Sequence, residues 1–304
     1  MSERHEADAG ERSVEHQPSE TAMSTAMMRA LASLDDREEI RGPDYLAEIF
    51  LTEESRGALK DPAAREWVVQ NRLTPGMYEF LIARTAFFDQ VVERALRENI
   101  PQIVFLGAGY DTRPYRFKEL IRDTRIFELD IHTTQRKKKE LLHQAKVPIP
   151  GQLVFVPINF NKENIGDALA GMGFMKNRKT LFVWEGVTYY LPPHVIDDVL
   201  SSVKANAPAG SSICFDYASL SIEALNEDNV KKLRERMQSR HSAEPTKFGI
   251  RKGNTKSFLL DRGYRIIMHL TASEMEKKYL SLRDGSSAGK VLPLFCFVHA
   301  EHRP

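Results

Sequence analysis

Five short apolar segments alternate with helical patterns between residues 103 and 218. They span residues 103–106, 125–130, 153–160, 179–186 and 211–218. A segment that is apolar throughout, rather than at every second position, is typical of a strand buried on both faces. Strands of this kind joined by helices form a parallel sheet with helices on both sides. The alternation therefore predicts a doubly wound, mostly parallel α/β fold.

The flanking regions have different patterns. Residues 1–20 are polar and charged and predict a disordered tail, whereas residues 21–99 predict a helical segment without strands. Residues 219–262 are charged with a helical pattern and predict a lid-like insertion. Residues 264–270 and 292–300 predict an antiparallel pair of strands at one C-terminal edge of the sheet. We therefore expect one domain over residues 21–304.

Composition excludes several classes of protein. The net charge is +1 for 304 residues, which argues against a nucleic-acid binder, because neutralising phosphates requires a basic excess. The basic run at residues 136–139 lies on a polar helical pattern and is expected to be a solvated face. No uncharged apolar run approaches the ~18 residues of a membrane-spanning helix. The two cysteines lie in apolar runs and are expected to be buried thiols, and no metal site is expected. These features predict a cytoplasmic protein without a membrane partner.

A glycine-containing loop follows the first predicted strand. Gly107, Ala108 and Gly109 allow a tight turn and a close approach of a ligand to the backbone. Asp130 lies 21 residues after Gly109, at the end of the second strand, where an acid typically binds a ribose in nucleotide-binding folds. Glu128 shares its face of the strand, but Asp130 lies nearer the tip and is the better ribose ligand. Glu128 and Arg113 are further candidate cofactor contacts. The loop alone fits equally well an ordinary strand-to-helix turn.

The residue that discriminates between cofactors is Asp111. In a dinucleotide site the pyrophosphate lies on the first helix N-terminus, and a carboxylate there would repel it. S-adenosylmethionine fits better, because its ammonium suits an acid such as Asp111 or Glu185. Its carboxylate suits a cation such as Arg84 on the long helix before the first strand. Asp111 either touches this ligand or braces the loop through Arg113, and the sequence permits both.

Polar residues also end the third and fourth strands. Asn159 can hydrogen-bond an adenine edge and Phe160 can pack on the ring. Glu185 at a strand end is costly without a partner, which favours a role in a site.

Taken together, these motifs resemble those of the leucine carboxyl methyltransferase family, and in particular its bacterial O-methyltransferase branch that includes polyketide-tailoring enzymes. The similar stretches are "ARTAFFD", "VFLGAGYDTRPYRF", "FELD", "FVPINF", "VWEGVTYYLP" and "EPTKFGI". The resemblance implies a class I methyltransferase fold with S-adenosylmethionine as cofactor. It also implies that cofactor contacts include Arg84, Gly107, Asp130, the Asn159–Phe160 pair and Glu185. One departure is Asn159, where many relatives have Asp.

The reaction implied by the resemblance is an in-line displacement onto a small-molecule acceptor. A carboxyl acceptor is already ionised, whereas a hydroxyl acceptor requires a base. Candidate catalytic residues are Tyr189, Tyr190 and His241. Candidate acceptor-binding residues are Tyr110, Tyr189, Tyr190 and Arg251.

Two alternatives share the fold: an NAD-dependent oxidoreductase and a non-catalytic protein with a vestigial pocket. The sequence leaves the acceptor and the oligomeric state open.

Overall fold

The computed structural model describes residues 19–221, 227–228, 230–231 and 247–303. Eight strands lie in these ranges. They are β1 (Gln102–Leu106), β2 (Arg125–Asp130), β3 (Leu153–Pro157), β4 (Thr180–Trp184), β5 (Ser212–Leu220), β6 (Ile250–Arg251), β7 (Tyr264–Leu270) and β8 (Phe295–His302).

Eleven α-helices are described within the same ranges. They are α1 (Glu20–Ser33), α2 (Glu53–Leu59), α3 (Pro62–Arg72), α4 (Met77–Arg97), α5 (Arg113–Arg116), α6 (Lys118–Ile121), α7 (His132–Gln144), α8 (Ile165–Leu169), α9 (Pro193–Asn206), α10 (Thr255–Leu260) and α11 (Ala272–Tyr279). The predicted helical N-terminal segment is confirmed, since no strand is described between residues 19 and 101.

The central sheet has the strand order β3-β2-β1-β4-β5-β8-β7. Neighbouring strands from β3 to β5 are parallel, and β8 is antiparallel to both β5 and β7. The predicted α/β sheet with an antiparallel C-terminal edge is therefore confirmed. The chain leaves β1 toward β2 on one side, and β4 lies on the other. This change of direction opens a crevice at the carboxyl ends of β1 and β4, where ligands bind in folds of this type.

Both faces of the sheet are covered, which explains the wholly apolar strands. On one face, α4 packs through Phe80 and Phe87 against Phe297 of β8, with ring centroids 5.6 and 5.0 Å apart. On the other face, Val199 and Val203 of α9 belong to the same buried cluster as strand residues such as Trp184. The sheet therefore holds its strand ends rigidly between two helical layers.

The charged region after β5 was predicted as a purely helical insertion over residues 219–262. In the structure, β5 continues to Leu220, and the short strand β6 pairs in parallel with it at Ser219–Ile250 and Leu220–Arg251. The rest of this region includes residues outside the described ranges. The predicted tail at residues 1–20 lies almost wholly outside them as well.

The basic run at residues 136–139 was expected to be a solvated helix face, and this is wrong for Lys138. Its side chain is wholly buried, and Nζ lies 2.7 Å from Oε2 of Glu128. Helix α7 lies against the sheet on this side, so only part of the run reaches solvent. Within the described ranges, no helix combines the length and apolar character needed to cross a bilayer.

Candidate functional site

A cavity of about 410 Å³ opens at the carboxyl ends of β1, β2 and β4. Its volume is within the range of small-molecule sites. Most of the residues singled out from the sequence line it. These are Arg84, Gly107, Ala108, Gly109, Tyr110, Asp111, Asp130, Asn159, Phe160, Glu185, Tyr189 and Tyr190. The fold thus brings together residues that are up to about 100 positions apart in the sequence.

The glycine loop is held against the end of β2. The backbone N–H groups of Gly107 and Ala108 donate to the carbonyl of Leu129 at 2.8 and 3.0 Å. Gly107 has a φ of 72°, and a Cβ there would lie 2.6 Å from Cγ2 of Val187. The loop can therefore turn this sharply beside the β4 loop only because it carries no side chain at residue 107.

Asp130 closes the turn from the other side. Its Oδ2 accepts a hydrogen bond from Gly109 N at 2.5 Å, and its Oδ1 accepts one from Ile131 N at 2.6 Å. A carboxylate has about four lone-pair sites, so Asp130 can also accept a hydrogen bond from a ligand hydroxyl. The geometry fixes the carboxylate at the cavity wall beside the loop.

Asp111 braces the loop. Its Oδ1 accepts from Arg113 N at 2.8 Å and its Oδ2 pairs with Arg113 Nη1 at 2.5 Å. Burial alone would raise the pKa of Asp111, but the charges of Arg113, Arg29 and Lys138 lower it below its ordinary value. Of the two roles left open by the sequence, the structure therefore favours bracing. Asp111 is the residue that orients Arg113.

Arg113, a further candidate cofactor contact, does not line the cavity. Its side chain is 1% exposed and lies behind the loop, outside the cavity lining. There it pairs with Asp89 at 2.7 Å and Glu185 at 2.7 Å, in addition to Asp111. A buried cation surrounded by three acids links the glycine loop to α4 and to the end of β4, so Arg113 acts through the residues it positions.

Arg84 lies at the floor of the cavity. Its Nε is 3.1 Å from Oε1 of Glu185, and its Nη1 donates to the hydroxyl of Tyr189 at 3.2 Å and to Oδ2 of Asp216 at 3.4 Å. Nη2 of Arg84 makes no hydrogen bond with the described residues. Two acids and a tyrosine thus fix the guanidinium, and one nitrogen remains available to an anion.

Asp216 was not identified from the sequence, although it holds this part of the site together. Its side chain is wholly buried in β5, and its Oδ1 accepts from Gly186 N at 2.7 Å. Burial raises its pKa above the ordinary value. The signal that could have found it is an acid inside the apolar stretch "SICFDYA", since a buried charge needs partners.

Tyr189 was a candidate catalytic residue. Its hydroxyl donates to Oδ2 of Asp216 at 3.1 Å, and burial together with the nearby Asp216 charge raises its pKa well above the usual value. A phenol held in its protonated form is a poor base. Tyr190 packs edge-on against Tyr189, with ring centroids 4.9 Å apart. Both rings therefore shape the wall of the cavity.

Two further predicted contacts are not brought to the cavity. Glu128 is wholly buried beneath α7, where burial raises its pKa to about 7 despite its pairing with Lys138. Only the residue at the tip of a strand covered on both faces emerges into the crevice, and that residue is Asp130. Arg251 is exposed in β6 and lies away from the cavity. His241 lies outside the described residues.

Helix α1 covers the cavity, a role that sequence reasoning missed. Ala22, Met28 and Arg29 all line the cavity. Nη2 of Arg29 donates to the carbonyl of Tyr110 at 2.6 Å, and its Nε pairs with Asp44 at 3.0 Å. An arginine in an otherwise apolar helix pattern was the available signal. It fastens α1 onto the glycine loop.

The residues of the cavity fit S-adenosylmethionine. Acids at two strand ends suit the ribose and the ammonium, and the remaining nitrogen of Arg84 suits the carboxylate. Tyr110 offers a buried hydroxyl without a partner in the described part of the chain, and its ring stacks on Phe50 with centroids 4.7 Å apart.

Comparisons with known proteins agree with this geometry. Residues 22–204 match the leucine carboxyl methyltransferase family. The Bacillus subtilis (strain 168) protein "Putative S-adenosyl-L-methionine-dependent methyltransferase YktD" is 33% identical over 236 residues, which cover 77% of this chain and 75% of that protein.

Solved structures show the same fold. A DUF574 family protein from Streptomyces avermitilis has a TM-score of 0.61 at 12% identity, covering 96% of this chain and 99% of that chain. A chain described as a "putative methyltransferase" from Thermobifida fusca has a TM-score of 0.57 at 14% identity, covering 95% of this chain and 96% of that chain.

The fold and the site define a class I methyltransferase that uses S-adenosylmethionine. The chain belongs to the leucine carboxyl methyltransferase family. The sequence left an NAD-dependent oxidoreductase as an alternative function. Family membership and the carboxylate of Asp111 in the glycine loop both argue against it.

Proposed function

We propose that the chain is an O-methyltransferase that acts on a small molecule and that the methylated oxygen belongs to a carboxyl or hydroxyl group, with a carboxylate favoured. The observation that carries this proposal is the lining of the cavity. One part is polar and is built from the strand ends and the glycine loop, and the other is apolar and aromatic. The first suits the cofactor and the second suits an organic acceptor.

On the cofactor side, Arg84 would hold the carboxylate, Asp130 the ribose, and Asn159 with Phe160 the adenine. Glu185 lies between Arg84 and Arg113, with its Oε2 2.7 Å from Nη1 of Arg113 but outside hydrogen-bond geometry. Glu185 is therefore the acid best placed for a cationic group of the ligand. When bound, the cofactor supplies an electrophilic methyl group: an acceptor oxygen bonds to its carbon and the carbon–sulfur bonding pair stays on sulfur.

The described lining is better matched to a carboxylate than to a hydroxyl. A hydroxyl acceptor needs a base, most often His, whereas a carboxylate is ionised near neutral pH. No histidine occurs among the described residues that line the cavity. The Tyr189 hydroxyl is held in its protonated form by Asp216 and burial. The contribution of the protein is then to align the acceptor and to exclude water.

The test uses the full-length protein with a methyl-deuterated donor and a panel of carboxylic acids and phenols of matched size. Mass spectrometry measures the labelled ester or ether and the S-adenosylhomocysteine formed with it. We expect labelled methyl esters, with less or no ether. Binding of S-adenosylhomocysteine without methylation of any panel member would favour a non-catalytic protein, and label on nitrogen or carbon would refute O-methylation.

A further inference from the structure

One face of α4 lines the cavity from its floor to its mouth. Arg84, Leu81 and Met77 follow each other at helical spacing along this face, and all three line the cavity. At ~1.5 Å per residue, Met77 lies about 10 Å along the helix from Arg84. The cavity therefore extends well beyond the residues that suit the cofactor.

The extension is bounded by apolar side chains. Met28 of α1 lies on one side, and Tyr190 and Phe295 lie on another. Phe295 is fixed by stacking on Phe80, with ring centroids 4.4 Å apart, and by contact with Tyr189 at 5.5 Å. We call the space between Met28, Leu81, Met77, Tyr190 and Phe295 the outer compartment. Its walls suit an apolar body.

Thr74 lies at the far end of the outer compartment, in the connection between α3 and α4. It is 3% exposed and lines the cavity, yet its Oγ1 has no hydrogen-bond partner among the described residues. A buried hydroxyl without a partner destabilises the fold, so a group that pairs with it gains affinity. The Thr74 hydroxyl is thus a polar group in an otherwise apolar compartment.

The position of Thr74 is fixed by the backbone around it. Its carbonyl accepts from Met77 N at 3.0 Å, and the carbonyl of Gly76 accepts from Leu292 N at 3.1 Å. Gly76 has a φ of 85°, and a Cβ there would lie 2.7 Å from Leu292 N. The connection is therefore locked against the segment that precedes β8, so that Thr74 is presented from a rigid support.

Two exposed cations lie at the rim. Arg72, at the end of α3, and Lys247, just after the undescribed residues 232–246, both line the cavity. A positive rim raises the local concentration of anions at the entrance. The rim thus agrees with an acidic acceptor that passes it to reach the cavity.

We propose that the outer compartment binds the methyl acceptor and that Thr74 positions it. The acceptor is an aliphatic organic acid of medium length whose carboxylate faces the cofactor-binding residues at the inner end of the outer compartment. Its far end carries a hydroxyl that hydrogen-bonds to Thr74. This inference rests on the proposed O-methyltransferase function and adds the class of acceptor and a specificity-determining residue.

The experiment compares decanoate with 10-hydroxydecanoate as acceptors for the full-length protein. We expect kcat/KM to be about tenfold higher for the hydroxy acid, which corresponds to one buried hydrogen bond. Thr74→Val keeps the shape of the side chain and removes the hydroxyl, so the ratio should fall to about one. Thr74→Ser should restore it. Calorimetry with S-adenosylhomocysteine should give the same affinity for all three proteins.

Thr124→Val is the matched control, because Thr124 is also a buried threonine but lies away from the cavity and donates to the carbonyl of Ile100 at 2.8 Å. It should lower the melting temperature and keep the acceptor ratio. Thr74→Val should keep the melting temperature and lower the acceptor ratio, since removing an unpaired buried hydroxyl does not destabilise the fold.

The outcomes separate the inference from the function on which it rests. A ratio near one in the wild-type protein, or a ratio unchanged by Thr74→Val, overturns the role of Thr74. Conversion of other acids or phenols, but of neither fatty acid, overturns the acceptor class and leaves O-methylation standing. Failure to methylate any acceptor despite donor binding overturns both.

Discussion

Replacing Arg84 by Met tests whether the buried ion network at the cavity floor has both a structural and a binding role. The guanidinium is wholly buried, with Glu185 3.1 Å from Nε and Asp216 3.4 Å from Nη1. Breaking a buried ion pair costs about 3–5 kcal/mol. Glu185 keeps Arg113 as a partner, and the pKa of Asp216 is already raised, so Asp216 can take up a proton. We therefore expect the lower end, about 3 kcal/mol, which for a chain of 304 residues corresponds to a fall in Tm of about 5 °C.

The same change should weaken cofactor binding for a separate reason. A charge-assisted hydrogen bond to the ligand carboxylate contributes about 2 kcal/mol, so the Kd for S-adenosylhomocysteine should rise about 30-fold or more. The double variant Arg84→Met/Asp216→Asn removes the stranded acid together with its partner. It should regain much of the stability that Arg84→Met loses, without regaining affinity for the ligand.

Denaturant unfolding measures the first effect, and isothermal titration calorimetry measures the second, at a temperature where both variants remain folded. Normal affinity in Arg84→Met would refute a direct role of Arg84 in binding. Recovery of affinity in the double variant would show that the loss came from the stranded carboxylate. Loss of stability that the double variant does not recover would refute the pairing of Arg84 with Asp216 as its cause.

Two other predictions concern the loop and the buried acid. Gly107→Ala would place a methyl group against Val187 at a residue with a positive φ, so it should lower the stability of the fold by about 1–3 kcal/mol. Calorimetry should also show a weaker affinity for S-adenosylhomocysteine. Gly285→Ala is the control, because Gly285 also has a positive φ but has open space around it, and this variant should keep the affinity. The folded-state pKa of Glu128 is about 7 against an ordinary 4.5, so its contribution to stability is full below pH 4.5 and is lost as pH rises through 7. Urea unfolding across this pH range should show the free energy of unfolding falling in the wild-type protein and changing less with pH in Glu128→Gln. An equal fall in both proteins would contradict the role of Glu128, as would a flattened pH dependence in the exposed variant Glu119→Gln.

Much of the fold followed from local patterns. Apolar strands and the long helix α4 were predicted because burial on both faces leaves no polar positions and because apolar residues recur at helical spacing. Strand β6 was not predicted from the sequence, because a strand of two residues has no recognisable periodicity. Its pairing with β5 depends on where the chain returns after residue 246. The burial of Lys138 was not predicted either, because the sequence of α7 does not show which turn of the helix lies against the sheet.

In the site, the sequence alone determined the residue types that meet at the crevice. Glycines beside a strand end, acids at strand tips and Arg84 on the preceding helix are set by spacing and by the rule that parallel strands end at one edge. Only the tertiary structure decided that Glu128 does not reach the cavity, since that depends on where α7 covers the strand. It also decided that Asp216 and Arg29 hold the site together, Asp216 through Arg84 and Arg29 through the carbonyl of Tyr110. Contacts between residues so far apart in sequence are fixed by packing, and no local pattern records them.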